Sequence, residues 1–214
     1  MTDAIILHAH LRLPLSCPSW QGSLLQALPY ARRLDLERRE PAARRASLAG
    51  LGLVLVGAAR MTQREFPPQA FTFPPGCKPR LAGGPHFSIS HSNSWVTCVV
   101  CAETGCGIDI EDRLDSADAT NIAKLQRWTA TEAALKAAGL GLRAVGEVVL
   151  ADSLGAAIVR KQRYELQLLA DLPGVIGHLA AEKKLTPIIQ PLELDDALTS
   201  ALLERSLGLP AQIK

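Results

Sequence analysis

The chain has 214 residues, 48% of them hydrophobic, enough to bury a sizeable core in one large domain or two small ones. Its 23 basic and 21 acidic side chains leave a net charge of +2, which excludes a general nucleic-acid binder held by bulk charge. Five cysteines, an odd number, point to reduced thiols packed as small apolar residues rather than a disulfide framework, and so to the cytosol.

The opening MTDAIILHAHLRLPLSC carries an acid where an export signal would carry positive charge, and predicts no such signal. Within it, AIILHAHL reads as a short strand. An arginine-rich segment from Arg32 leads into a buried helix ending near Arg60. Its core, LAGLGLVLVGAA from Leu48, is shorter than the roughly 18 residues of a membrane span and is interrupted by glycines. The passage FPPQAFTFPPGCKPRLAGGP (66–85) is punctuated by proline and glycine and predicts an extended surface loop.

Strands follow. HFSISHS alternates with Phe87, Ile89 and His91 on one face and serines on the other; WVTCVVCA is β-branched and apolar; GCGIDIE follows a turn at Thr104-Gly105. Together they predict an antiparallel meander. A helix is predicted from Ser116 to about Ala138, with Ile122, Leu125, Trp128 and Leu135 near helical spacing and Trp128 as a core anchor. The stretches 156–172, 174–182 and 187–194 read as strands, and 195–208 as a final helix. The order helix, loop, strands occurs twice. It predicts an α+β fold of two similar α/β halves, 1–104 and 105–214, a pseudo-dimer with antiparallel sheets, long helices and an active site in the cleft between the halves.

The stretch GIDIEDR places an acid at every second position of a strand, so Asp109 and Glu111 share a face with Cα atoms about 7 Å apart. Like charges that close are tolerated in water, or with a cation between them. On the following helix Trp128, Glu132 and Lys136 stand at four-residue steps and lie along one face. Taken singly, Glu132 and Lys136 are an exposed ion pair, the strand acids a solvated edge, and His91 a structural hydrogen-bonding residue.

In conjunction, FSISHS, GIDIE, W-x-x-x-E-A-x-x-K (Trp128, Glu132, Lys136) and KAAGLGL resemble the signature set of the surfactin-synthetase-type phosphopantetheinyl transferases, over Phe87 to Leu142. Upstream, GCKP (76–79) resembles the Gly-Lys-Pro element that precedes the histidine strand in that family. The resemblance implies Mg²⁺-dependent transfer of the 4'-phosphopantetheine arm of coenzyme A to a serine of an apo carrier protein (acyl, aryl or peptidyl), releasing adenosine 3',5'-bisphosphate. Asp109, Glu111 and Glu132 become hard oxygen ligands for Mg²⁺. Glu132 helps remove the serine proton, Lys136 stabilises the departing bisphosphate, and His91 donates a hydrogen bond to a phosphate oxygen. Ser90 joins the coenzyme-binding set. Arg32, Arg33, Arg44 and Arg45 recognise the ribose phosphate and Lys78 lies near the adenine, while Arg38 and Arg39 form the solvated face of their helix. The partners implied are coenzyme A and a carrier, with neither nucleic acid nor membrane, for a cytoplasmic monomer.

The chain departs from the family pattern twice. Thr131 stands where relatives carry a lysine before the helix glutamate, and only sixteen residues, Asp112 to Arg127, separate Glu111 from Trp128 in the region that receives the carrier in relatives. The rival readings are a non-catalytic homologue that binds coenzyme or carrier, and a metal-dependent phosphohydrolase in which the same acids activate water.

Overall fold

The structure, a computed structural model, describes residues 3–11, 18–113 and 118–192. Strand β1 (Ala4–His10) precedes three helices, α1 (Pro18–Ala27), α2 (Tyr30–Glu37) and α3 (Pro41–Thr62). A small hairpin, β2 (Phe71–Thr72) and β3 (Arg80–Leu81), leads to β4 (His86–His91), β5 (Trp95–Cys101) and β6 (Cys106–Asp112). Helix α4 (Ala119–Ala137) follows, then β7 (Val148–Leu150), β8 (Ala156–Val159), β9 (Gln162–Leu168), β10 (Val175–Ala181) and β11 (Pro187–Pro191). The predicted final helix over 195–208 and the first residues of the helix predicted from Ser116 lie outside the described residues.

The fold is mixed, with antiparallel sheets throughout except where β11 runs parallel beside β1. One sheet has the order β11-β1-β5-β4 and the other β6-β10-β9-β8-β7. Helix α3 begins with Pro41, whose missing N–H costs nothing in a first turn, and is buried along its apolar run against β1, β4 and β5. Its glycines have a packing purpose: a Cβ on Gly50 would lie 2.5 Å from Ile89 Cγ2. By length and composition α3 is the one described helix able to cross a membrane, and 67% of its most apolar window is covered by the rest of the fold.

The predicted meander is corrected here. β4 and β5 pair, but β6 leaves their sheet and pairs with β10. Serine hydroxyls join β4 to β6 instead. Ser88 Oγ accepts from the Ile108 amide (3.2 Å), Ser90 Oγ accepts from the Ile110 amide (3.3 Å), and Ser92 Oγ donates to Asp112 Oδ1 (2.5 Å). The polar face of the HFSISHS alternation is therefore the seam between the sheets. A second correction concerns 66–85, which is anchored rather than wholly at the surface: Phe66, Pro68, Phe71 and Leu81 are buried. Cys98 and Cys101 point to opposite faces of β5 into different apolar clusters, as three-residue spacing on a strand requires.

Two buried histidines make stability depend on pH. His8 stacks on Trp95 with ring centroids 4.4 Å apart, and His178 Nδ1 lies 2.8 Å from Thr129 Oγ1. Burial pushes both imidazoles down to about 4; at His8 the Pro173 backbone opposes the shift and the charge of His10 adds to it, and neither ring nitrogen has a hydrogen-bond partner. Both are neutral in the fold and protonated in the unfolded chain below its ordinary value of 6.5. Their contribution, on the order of 3 kcal/mol each, is complete above pH ~6.5 and is lost as pH falls toward 4. Thermal midpoints should therefore fall between pH 6.5 and 4, and His8→Phe should flatten that slope. A midpoint that does not move across this range would contradict the assignment.

Candidate functional site

The site is built where α4 crosses β6. Ile108 and Ile110 face the apolar layer between the sheets, so Gly107, Asp109 and Glu111 face the helix. Gly107 permits the crossing: a Cβ there would lie 2.0 Å from Ala133 O and 2.4 Å from Ala137 N. The helix begins at Asp118, whose carboxylate accepts from the Asn121 amide, and runs antiparallel to β6. Trp128 therefore sits by Glu111 and Lys136 by Asp109.

Asp109 is not the solvated edge residue of an isolated strand, because pairing of β6 with β10 and the cover of α4 bury it to 3% exposure. Its Oδ1 accepts from Ser90 Oγ (2.8 Å) and from Lys136 Nζ (2.5 Å), while its Oδ2 is buried with no hydrogen-bond partner. Lys136 also reaches Ser90 Oγ at 3.3 Å and Glu132 Oε2 at 3.7 Å. Burial and then the charge of Asp109 hold Glu132 above the usual carboxylate range, against Lys136. The same two causes raise Glu111, against a hydrogen bond from Trp128. Trp128 is 38% exposed, so the predicted core anchor is instead a partner of the second acid.

A cleft of about 490 Å³ opens beside this cluster, lined by Arg32, Arg39, Lys78, His91 and Lys136 together with the apolar side chains of Leu51, Phe73, Phe87, Ile89 and Leu140. Lys78 is buried in its wall and donates to the Cys106 carbonyl; burial holds its ammonium below the ordinary lysine range. Burial, then the charges of Lys136 and Arg39, lowers His91. Arg32 is lowered by burial and by Arg39, lies over the Phe73 ring, and has a buried Nε with no partner. Asp35 accepts from both arginines, at 2.6 Å from Arg32 and 3.0 Å from Arg39.

The sequence-derived residues divide as follows. Arg32, Lys78, His91 and Lys136 meet in the cleft; Asp109, Glu111 and Glu132 gather beside it around Lys136. Ser90 turns away from the cleft to hold Asp109, and Ser88 takes the place on the wall. Arg33 packs over Tyr30 and bonds Gln26, and neither it nor Arg44 nor Arg45 lines the cleft. Arg39, read from sequence as solvated, does. It stands in the turn beyond Arg38, the C-cap of α2, where Asp35 holds it beside Arg32, a placement that no spacing in the sequence announces.

The donor chemistry fits the Mg²⁺ that the resemblance implies: three carboxylates, one with an orphaned buried oxygen and two raised first by burial and then by neighbouring negative charge. Asp109, Glu111 and Glu132 would hold it. As they stand, no three acid, histidine or cysteine side chains among the described residues are grouped to bind a metal, and Lys136 is the cation paired with Asp109. The arrangement thus offers cations for a polyanion, hard oxygens for a divalent cation, and in Glu132 a carboxylate made more basic by its surroundings. No protein-family model matches the chain, and no curated protein matches it.

Proposed function

We propose that the protein transfers 4'-phosphopantetheine from coenzyme A to a serine of an apo carrier protein, with Mg²⁺, releasing adenosine 3',5'-bisphosphate. The observation that carries this reading is the cleft's run of mutually unfavourable cations, Arg32, Arg39, Lys78 and Lys136, ending at a cluster of three acids. Such a wall is stabilised by a polyanion, and a pyrophosphate spanning its end would meet both charge types. Mg²⁺ held by Asp109, Glu111 and Glu132 would supply neutralisation of charge on the pyrophosphate.

Within this chain the roles divide by position. Arg32 and Arg39 hold the phosphate end of the coenzyme, the apolar wall receives its carbon skeleton, and neutral His91 donates to a phosphate oxygen. Glu132 takes the proton of the incoming serine as the new oxygen–phosphorus bond forms. The old bond to the bisphosphate breaks, and Lys136 stabilises the charge that leaves. The reading includes two similar halves, each with a long helix, α3 or α4, on its sheet, working in the cytoplasm as a monomer. Its test is incubation with coenzyme A, Mg²⁺ and a panel of apo carrier proteins, followed by intact mass. A carrier gain of one phosphopantetheine supports it. Phosphate release without a carrier would favour the phosphohydrolase, and coenzyme binding without transfer the non-catalytic homologue.

Lys124 and Arg127 sit with Trp128 in a shallow depression with Val145, Val148 and Leu150, on the side of α4 toward β7, the sheet edge opposite β6. Acidic carriers are drawn to such a basic rim at long range. Lys124→Glu should raise the Michaelis constant for the carrier roughly 3- to 10-fold at low salt, with that for coenzyme A unchanged and the effect shrinking as salt rises. Equal effects on both substrates would place the docking surface elsewhere.

A further inference from the structure

On its α4 side the layer between this helix and its sheet is built mainly of small flat side chains, Ala130, Ala133 and Ala134 beside Leu135, which meet Ala157, Val159, Tyr164, Leu166 and Ala180 of the sheet. Such a surface offers few ridges to interdigitate, so apolar packing alone resists sliding of the helix weakly. Gly107 fixes how closely α4 approaches β6, but a contact without a side chain does not fix position along the axis.

Beyond the Lys136–Asp109 pair at its edge, one fully buried directional contact lies in this layer. Thr129 and His178 are 0% and 1% exposed, and Thr129 Oγ1 lies 2.8 Å from His178 Nδ1. The Thr129 hydroxyl has a single proton and two acceptors on its own helix, Leu125 O (3.0 Å) and Gln126 O (3.2 Å); with the proton on either, the imidazole donates through Nδ1–H. His178 stands directly across from Asp109 in the β10–β6 register and on the same face. Thr129, Glu132 and Lys136 occupy positions i, i+3 and i+7 of α4, one stripe of the helix. A buried polar pair contributes little net stability compared with an apolar pair of similar shape, so its value here is directional.

Resting on the transferase reading above, we propose that His178 and Thr129 are a positioning pair that fixes α4 along its axis and so holds Glu132 and Lys136 over Asp109. A displacement of about 1 Å at reacting groups costs on the order of 100-fold in rate. Thr129→Val, which keeps the shape and removes the hydroxyl, should lower kcat roughly 10- to 100-fold and leave the KM for coenzyme A within about twofold. Thr129→Ser should restore kcat. Val56→Ala, a core truncation on α3 in the other apolar cluster, supplies a thermal loss away from α4 and should keep kcat.

The readout independent of turnover is the ¹⁵N resonance of the Lys136 ammonium, visible when held by Asp109 and Ser90. It should persist in wild type, Thr129→Ser and Val56→Ala, and vanish in Thr129→Val and in His178→Phe. If Thr129→Val does not fold, His178→Asn, which keeps an amide donor near Nδ1, should retain the resonance where His178→Phe loses it. An unchanged resonance and kcat in Thr129→Val overturn the proposal, as does an equal fall in kcat in Val56→Ala at the same thermal loss. Failure of wild type to modify any carrier refutes the transferase reading, and the ammonium resonance then decides whether the pair positions the helix.

Discussion

Asp109→Ala is expected to abolish transfer, with a fall of at least ~100-fold, and to destabilise the protein. Asp109 is the one carboxylate bonded to both Ser90 and Lys136, and it carries the orphaned oxygen most available to a divalent cation. Metal affinity and activity typically fall 10- to 100-fold when even a supporting group is removed, so loss of a ligand should exceed that. From the sequence alone, relief of repulsion between neighbouring acids would predict a gain in stability without metal. The structure reverses the sign, because Lys136 is left partly buried with only Glu132 at 3.7 Å and Ser90 at 3.3 Å. Breaking such a pair from one side is costly, though less so than in a dry core, since Lys136 remains 27% exposed. Glu111 and Glu132, both raised by Asp109, should titrate lower in the variant. Thermal melts without Mg²⁺ and a coenzyme transfer assay measure the two effects. A variant with undiminished turnover, or a higher midpoint, would show that Asp109 is neither ligand nor partner to Lys136.

Gly107→Ala should be the most damaging single-methyl change in the described chain. Its Cβ would meet backbone on both sides of one helical turn, Ala133 O at 2.0 Å and Ala137 N at 2.4 Å, with Lys136 C at 3.0 Å. Side chains can swing aside, but helix backbone cannot, so either α4 lifts from β6 or the fold is lost. Over-packing usually costs 1–3 kcal/mol, and a clash against rigid backbone belongs at or beyond the top of that range. For a chain of this size that corresponds to a midpoint lowered by roughly 6–12 °C. If the protein folds, lifting α4 separates Lys136 from Asp109 and activity should disappear. A midpoint within about 2 °C of wild type would mean that α4 does not press on β6 as described.

The acids and the helical stripe were legible because D-x-E on a strand and four-residue steps on a helix are local patterns. Their burial was not. It depends on β6 pairing with β10, and nothing near Asp109 announces His178 as its neighbour. The seam of serines was visible as an alternation, but the strand it meets was not, because β6 belongs to the other sheet. At Arg160 and Lys161 the chain turns between β8 and β9 with φ of 48° and 72°, in a two-residue loop usually marked by asparagine or glycine. Charged residues there hid the turn, so a hairpin read as one long strand. Arg39 was read as solvated because arginine on a surface helix usually is, and only the tertiary placement of Phe73 and Lys78 makes a wall of it.

Every residue but proline brings the same N–H and C=O to a backbone ladder, so substitution seldom edits one rung of it. The joint between β4 and β6 is different, because its rungs are the hydroxyls of Ser88, Ser90 and Ser92, each removable by losing one oxygen atom. Stiffness between the two sheets is therefore genetically adjustable, rung by rung, with the strand register untouched. The middle rung is Ser90, which also holds Asp109, so the same small change that loosens the joint alters the charge cluster beside the cleft.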